Sequence, residues 1–415
     1  MDKAKPFQIS KWVVWYAYKR IKENKGTAGI DEETIADFER DIKNNLYKIW
    51  NRMSSGTYFP FPVRLVEIPK SNGGKRSLGI PTVSDRIAQM VVKMYLEPLV
   101  EPYFHKDSYG YRPRKSAIEA VGKARERCWR NNWVIDLDIK GFFDNINHEL
   151  MMKAVKKHTD CKWMLLYIER WLKAAMQKQD GSQIIRDKGT PQGSVISPLL
   201  ANLFLHYAFD VWMQRKYPDI PFERYADDII AHGKTQKQAE ELKEAIRERL
   251  AQCGLELHPE KTKIVYCKDD DRKENYSIIS FDFLGYTFRP RRSKNRWGKF
   301  FINFSPAVSN KAIRKMCKEV RIWRLQTRSD KTLEDLSSMF NPKIRGWINY
   351  FSKYYKSALY PVMRHINDIL AKWAIRKYKT LRRHRRRGRY WLGRIAKREP
   401  NLFAHWKIGV LPTAG

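Results

Sequence analysis

The stretch Phe222-Glu223-Arg224-Tyr225-Ala226-Asp227-Asp228-Ile229-Ile230 decides the fold. It sets two adjacent carboxylates between apolar runs, so the pattern predicts a pair of strands, Arg224 to Gly233, bent around the two acids. Alone, an Asp-Asp pair reads as an ordinary turn. A second acidic cluster changes the reading: Val134-Ile135-Asp136-Leu137-Asp138-Ile139-Lys140-Gly141-Phe142-Phe143-Asp144, whose first part (residues 133–139) also reads as a short strand. Carboxylates at strand ends are costly unless something neutralises them, and adjacent ones repel each other. A divalent cation relieves both costs. With no His or Cys nearby, oxygen-only ligands favour a hard ion, Mg²⁺ or Mn²⁺. Two such ions ~3.5–4 Å apart stabilise the attacking and leaving oxygens of phosphoryl transfer. Asp136 reads as an outlying or solvent group, and Asp144 and Asn147 as caps near a helix start.

The bulk properties fit a polyanion partner. The chain has 415 residues, enough for two or three cooperating domains, and 43% of them are hydrophobic, which excludes disorder throughout. Its 81 Lys+Arg against 45 Asp+Glu give a net charge of +36, and that self-repulsion is offset most readily by nucleic acid, less readily by an anionic membrane surface. Aromatic residues reach 13%, a high share; most are expected in the core, and some as platforms on which bases or sugars stack. The cysteines (Cys128, Cys161, Cys253, Cys267, Cys317) form no C-x-x-C pair, which argues against a zinc ribbon or a disulfide framework and suits a reducing cytoplasm. No apolar run follows Met1-Asp2-Lys3-Ala4-Lys5, and no segment reaches the ~18 apolar residues of a spanning helix. A cytoplasmic, nucleoid-associated protein without membrane contact is expected.

Residues 1–60 read as a helical, basic extension, with Ile9 to Ile21 carrying apolar residues on one side. Residues 61–81 alternate as a hairpin turning at Ser71-Asn72-Gly73-Gly74. Residues 82–130 read as mostly helical, interrupted at Tyr109–Pro113, and a helix is expected over 150–176. Gly189 to Pro198 reads as a loop, Leu199 to Trp212 and Glu240 to Cys253 as helices, and Thr262–Cys267 and Phe281–Phe288 as short strands. Past residue 290 acids thin out and helices rich in Trp, Lys and Arg take over, so a domain boundary is placed there. Pro342 is expected to open a helix with an apolar stripe at Ile344, Trp347, Ile348, Phe351 and Tyr355. From Lys372 to Arg398 there are 13 Lys/Arg and no acid, interleaved with Trp373, Tyr378, Tyr390 and Trp391, the pattern of an ordered nucleic-acid surface. No internal repeat or low-complexity linker is seen.

These residues carry a resemblance. Tyr225-Ala226-Asp227-Asp228 resembles the central motif of reverse transcriptases, and Asp138 with Phe143 five residues on resembles their first palm motif. Gly189-Thr190-Pro191-Gln192-Gly193-Ser194 through Asn202 is similar to the group II intron form of the next motif. Ile68-Pro69-Lys70 through Pro81, Ser108 through Pro113, His258 through Lys263 and Phe281 through Tyr286 follow in the family's order. Asn341-Pro342 with Arg345-Gly346-Trp347-Ile348-Asn349-Tyr350-Phe351 resembles the maturase, or thumb, domain of the same proteins. The resemblance covers nearly the whole chain.

It implies an α+β right-hand polymerase: an N-terminal extension (1–60), fingers and palm (61–290), an α-helical thumb or maturase domain (291–371) and a basic C-terminal region (372–415). Asp138, Asp227 and Asp228 would hold two Mg²⁺ or Mn²⁺ ions; adjacent strand residues point opposite ways, so one of the pair reaches a shared ion only through local bending. Lys70 and Arg76 would clamp the triphosphate of a dNTP, Phe143 would exclude a ribose 2′-hydroxyl, and Gln192 and Gly193 would approach the nucleotide. Lys261 would neutralise or protonate the leaving pyrophosphate, and Phe283, Leu284 and Gly285 would grip the primer. Arg345, Trp347, Arg382, Arg383, Arg385, Arg386 and Arg387 would touch nucleic acid. The implied reaction copies an RNA template from a DNA primer, and the implied second role is binding intron RNA as a splicing maturase. Many family members also carry a zinc-binding endonuclease domain; no paired Cys/His set for one occurs through Gly415, so the primer is expected from a nick or replication fork. Residues alone leave open a domesticated host enzyme, in phage defence, CRISPR adaptation or DNA repair, and a splicing-only RNA-binding maturase. They say nothing of oligomeric state.

Overall fold

The computed structural model describes residues 5–69, 74–382 and 384–412, so Lys70 and Arg383 lie outside the described residues. The content is mixed α+β. By packing, the chain forms two compact units. One comprises the residues up to Ala120 together with Ile135–Ile264; the other comprises Val121–Val134 together with the residues from Val265 onward. No unit ends at residue 290, because a long hairpin, described below, straddles that position. Among the described residues no helix is long and apolar enough to cross a membrane.

The first unit opens with α1 (Lys11–Glu23), α2 (Ile35–Arg40) and α3 (Ile42–Ser55). The apolar spacing in α1 buries Val14, Ala17, Tyr18 and Ile21 on one face. A hairpin follows, β1 (Val63–Pro69) and β2 (Lys75–Ile80), in register from Arg64 opposite Ile80 to Pro69 opposite Lys75. Then come α4 (Val83–Val100), α5 (Ala117–Arg130), most of which belongs to the second unit, β3 (Trp133–Leu137) and α6 (Phe142–Asn145). Asn147 caps α7 (His148–Lys156) as expected, its Oδ1 accepting from Leu150 N at 2.9 Å. Asp144, expected as a cap, lies inside α6 instead.

The helix predicted over 150–176 is broken. α7 stops at Lys156 and α8 (Lys162–Lys173) starts again, because Thr159 Oγ1 captures the backbone N–H of Cys161 at 3.1 Å and competes with helical bonding. Two short strands, β4 (Met176–Gln177) and β5 (Gln183–Ile184), then complete a sheet of order β2-β1-β4-β5. The expected helix Leu199–Trp212 is α9 (Ser197–Leu205) and α10 (Val211–Lys216), joined through a π-helical turn at His206–Asp210. The acid-bearing strands are β6 (Phe222–Tyr225) and β7 (Asp228–Gly233); α11 (Gln236–Gln252), capped by Thr235, and β8 (Lys263–Tyr266) follow. The second sheet has the order β6-β7-β3-β8 and so sets the two acidic clusters on neighbouring strands.

In the second unit the single strand expected at Phe281–Phe288 is two. β9 (Phe281–Phe283) folds back at Leu284 and Gly285, both at positive φ, onto β10 (Tyr286–Lys294), which pairs with β11 (Phe300–Val308). Helices α12 (Asn310–Ile322), α13 (Leu333–Phe351), α14 (Tyr360–Lys377), α15 (Arg385–Arg398) and α16 (Ala404–Lys407) follow. Pro342 does not open its helix. The helix starts nine residues earlier, at Leu333, where Thr332 and Asp335 form a capping box, and Leu333, Leu336, Ile344 and Ile348 bury one stripe, so packing overrides the one N–H that proline removes. Tyr355 lies past the helix end at φ +48. The unit's core gathers Val320, Leu336, Met363, Ile366, Leu370, Trp373 and Trp406.

Candidate functional site

Asp138 directly follows β3, and a neighbouring segment holds it in place. Its backbone O accepts from His258 N at 2.7 Å, Ile139 bridges Leu257, and Lys140 N donates to Glu256 O at 2.8 Å. The turn from His258 to Thr262 closes on this segment, and Lys261 Nζ comes within 3.4 Å of Asp138 Oδ2. Asp227 stands at the β6–β7 turn. Its carboxyl is held above the usual range first by burial and then by the negative charge of Asp138, while Arg76 and Arg224 pull it down. The two carboxylates expected to act together therefore share one electrostatic site. Asp228 is exposed and starts β7, opposite Tyr225. Ala226 between them takes φ +57, a conformation that costs a non-glycine residue of order 1–3 kcal/mol and persists only where its surroundings impose it.

Among the described residues no group of three His, Cys, Asp or Glu is gathered closely enough to hold a metal by itself. The donors still fit a hard cation. All are carboxylate oxygens, and Asp227's raised pKa is what an opposing positive charge would reverse. Magnesium is commonly held by only one or two carboxylates, with waters and substrate phosphates completing the shell.

Other expected residues of this unit are held by local contacts, and one of them, Arg76, acts on Asp227. Gly141, at φ +55, starts the short helix α6 that carries Phe143, whose ring is 7% exposed and meets Phe142 edge-on at 5.4 Å. The loop from Gly189 is stitched beneath this helix: Gly189 N donates to Ile146 O and Thr190 N to Phe143 O, both at 2.7 Å. Farther along the loop, Gln192 Oε1 accepts from Arg76 Nε at 2.6 Å, which joins two residues expected at the nucleotide. Gly193 has a local explanation. At φ +118, a Cβ on it would sit 2.6 Å from Gly79 O, so its bareness admits strand β2.

Behind the acidic turn lies a network that the sequence reading missed. Arg224 is fully buried, and its guanidinium grips Asp210 with a two-point fork, Nε to Oδ1 at 2.7 Å and Nη2 to Oδ2 at 2.6 Å. Its Nη1 donates to Asn202 Oδ1 at 3.0 Å and to Ala226 O at 3.1 Å. Asn202 Nδ2 in turn donates to Gly110 O at 2.5 Å. Gly110 packs so closely that a Cβ would lie 2.4 Å from Ala226 N. Tyr111 stands beside the turn, its hydroxyl pKa raised by burial and then by Asp227. The motif Ser108–Pro113 was visible in the sequence, but nothing in it signalled this backbone contact.

In the second unit, Phe283 is buried, Tyr350 Oη donates to Leu284 O at 2.8 Å, and Ser309 N donates to Gly285 O at 2.9 Å, so the expected primer-grip loop has a fixed shape. Arg345, Arg382, Arg385, Arg386 and Arg387 are exposed. Two expected nucleic-acid aromatics are structural. Trp347 is half-buried and stacks on Trp323, 5.5 Å away and 6° from parallel, and Trp373 is fully buried with Nε1 donating to Arg328 O at 2.8 Å. Of the interleaved aromatics, Tyr390 alone is an exposed large ring.

The chain is similar to known proteins along much of its length. Residues 68–288 match the family described as reverse transcriptase (RNA-dependent DNA polymerase), and residues 313–391 match the group II intron maturase-specific domain. The chain is 33% identical to protein YkfC of Escherichia coli (strain K12), over 66% of this chain and 78% of that protein. It is 32% identical to the group II intron-encoded protein LtrA of Lactococcus lactis subsp. cremoris, over 61% of this chain and 42% of that protein. To the putative COX1/OXI3 intron 1 protein of Saccharomyces cerevisiae it is 31% identical, over 65% of this chain and 32% of that protein. The chain thus spans less than half the length of these last two relatives. It belongs to the reverse transcriptase (RNA-dependent DNA polymerase) family, in the form that carries a group II intron maturase-specific domain.

Proposed function

We propose that the protein is an RNA-directed DNA polymerase that extends a DNA primer with dNTPs on an RNA template, and that it also binds group II intron RNA as a splicing maturase. The observation that carries the reading is the shared electrostatic site of Asp138 and Asp227, with Arg76 and Lys261 as its cationic neighbours. Such carboxylates suit two Mg²⁺ ions, Mn²⁺ being the alternative; when bound, these supply Lewis acidity to the attacking 3′-hydroxyl and the departing pyrophosphate. Asp138 and Asp227 would hold them, with Asp228 contributing from the exposed side of the turn. Arg76, braced by Gln192, grips the triphosphate, and Phe143 closes the floor under the sugar. Lys261 shifts between Asp138 and the leaving pyrophosphate, where its ammonium offsets negative charge or donates a proton. Lys70, on the same hairpin as Arg76, lies outside the described residues and is proposed to add a second cation.

Residues 61–290 then serve as fingers and palm, 291–371 as thumb and 372–415 as a basic nucleic-acid surface. Phe283–Gly285 act as primer grip, and exposed Arg345 with the arginines at 382–387 contact RNA. The deciding experiment is primer extension on an RNA template by wild type and Asp227→Ala. Wild type extends with dNTPs, and the variant loses at least ~10³-fold in rate while still retaining RNA on a filter, since removing a group that stabilises transition-state charge costs on this order. Extension by Asp227→Ala at near the wild-type rate would refute the assignment.

A further inference from the structure

We infer that Arg224 and Asp210 are positioning residues for the metal-binding turn, setting the backbone on which Asp227 is hung. The inference rests on the polymerase reading above. A buried ion pair is weak evidence of stabilisation, because desolvating both charges offsets much of their attraction. Here the pair does something more specific. The fork to Asp210 uses Nε and Nη2, leaving Nη1 to bind Asn202 and the carbonyl of Ala226, the turn residue at φ +57. The Arg224 backbone is clamped as well: its N donates to Asp107 O at 3.0 Å, and its O accepts from Tyr109 N at 2.8 Å. Asn202 then ties Gly110 into the same network, and Gly110 abuts Ala226 N. The Arg224 side chain thus holds the Ala226 carbonyl while Gly110 packs against the Ala226 nitrogen, two residues from the β7 carboxylate and one from Asp227.

The partner acid is placed by an irregularity. Asp210 ends the π-helical turn between α9 and α10, a kind of irregularity found frequently at functional sites. His206 Nδ1 is 3.9 Å from Asp210 Oδ2, but burial lowers this histidine's pKa to about 4, so it is neutral at pH 7 and Arg224 supplies the counter-charge. Lysine cannot replace this arginine, since one ammonium cannot span a carboxylate, an amide oxygen and a backbone carbonyl in fixed planar geometry.

The test compares the full-length protein with Arg224→Lys and with Arg224→Met/Asp210→Leu, on an RNA template with a DNA primer. The double variant removes both charges together, so its melting temperature stays near that of wild type. Mn²⁺ binding is read directly by electron paramagnetic resonance, and the Mg²⁺ concentration for half-maximal extension is read separately. Both variants should bind Mn²⁺ on the order of 10-fold more weakly and need correspondingly more Mg²⁺, the usual consequence of removing a partner that orients a ligand. Wild-type Mn²⁺ affinity in either folded variant overturns the inference; if the double variant fails to fold, Arg224→Lys, which keeps the buried charge, decides. The polymerase reading fails by a different sign: Asp227→Ala would then extend primers and wild type would bind no Mn²⁺ at this turn.

Discussion

Phe143 shows what a single residue can and cannot reveal in sequence. Its distance from Asp138 marked it, by resemblance, as the ring beneath the sugar, but a buried phenylalanine in a short helix is equally a core residue. The structure gives it 7% exposure, against Phe142 and above the Gly189–Thr190 loop. Phe143→Val keeps an apolar filler and limits the cavity, whereas Phe143→Ala would cost the ~3–5 kcal/mol typical of such truncations. The valine variant is expected to incorporate ribonucleotides at least ~10-fold more readily relative to dNTPs, a difference of ~1.4 kcal/mol. Competing dNTP and rNTP incorporation on one template measures it, and an unchanged ratio removes the gate role. Asp138 and Asp227 stood out in the sequence because carboxylates in apolar strands need an explanation. Arg224 was not, although it lies in the stretch that decided the fold. A cation in a basic chain attracts no notice, and only its full burial, with partners 14 and 22 residues away, separates it from the other arginines.

At the scale of elements, local pattern predicted type well and continuity poorly. The β6–β7 pair, the β1–β2 hairpin and the α7 cap follow from alternation and capping chemistry. The break after α7, the π-helical turn and the Leu284–Gly285 reversal depend on contacts that periodicity does not encode, and proline at 342 misplaced the start of α13 because tertiary packing outweighed it. Another element-level feature was invisible: α16 packs His405 against the Asn367 amide of α14. His405 Nε2 donates to Asn367 Oδ1 at 2.6 Å, Trp406 Nε1 donates to the same oxygen at 2.8 Å, and Asn367 Nδ2 donates to Val410 O at 3.0 Å. His405 Nδ1 is buried without a hydrogen-bond partner, and burial lowers the ring's pKa to about 3. A depressed folded-state pKa means that the unfolded chain binds the proton more readily. The associated stability is complete above the unfolded value, ~6.5, and is lost as pH falls toward about 3. Carboxylates titrate in the same range, so a difference measurement isolates the residue. His405→Gln, which keeps a donor for Asn367, should flatten the stability-against-pH curve between 6 and 4 by up to ~1.4 kcal/mol per pH unit. Parallel urea-denaturation curves for wild type and variant across that range would contradict it.

At the scale of the whole molecule the charge of +36 is the dominant fact, and it makes affinity for nucleic acid a property of ionic strength. The structure refines where the charge acts. Trp373 and Trp347, expected as stacking platforms, are spent on packing, and among the described residues from 372 onward Tyr390 is the one large exposed aromatic ring beside the exposed cations. Arg385, Arg386 and Arg387 stand exposed in the first turn of α15, at the end of a helix where cations are least favourable to the dipole. That placement is stabilising only if phosphates share the site, since an anion at a helix N-terminus interacts favourably with both the dipole and the side chains. Binding there is expected to be driven mainly by counterion release, with little contribution from base stacking. Each phosphate neutralised on a single strand contributes about −0.7 to the slope of log affinity against log salt. Replacing these three arginines with serine should therefore reduce the magnitude of the slope by about 2, while weakening binding to unrelated RNA sequences to a similar degree. Filter-binding titrations of wild type and the triple variant between 50 and 300 mM salt measure both quantities. An unchanged slope would mean that α15 faces solvent in the complex, and that the RNA is held by the exposed cations of other elements.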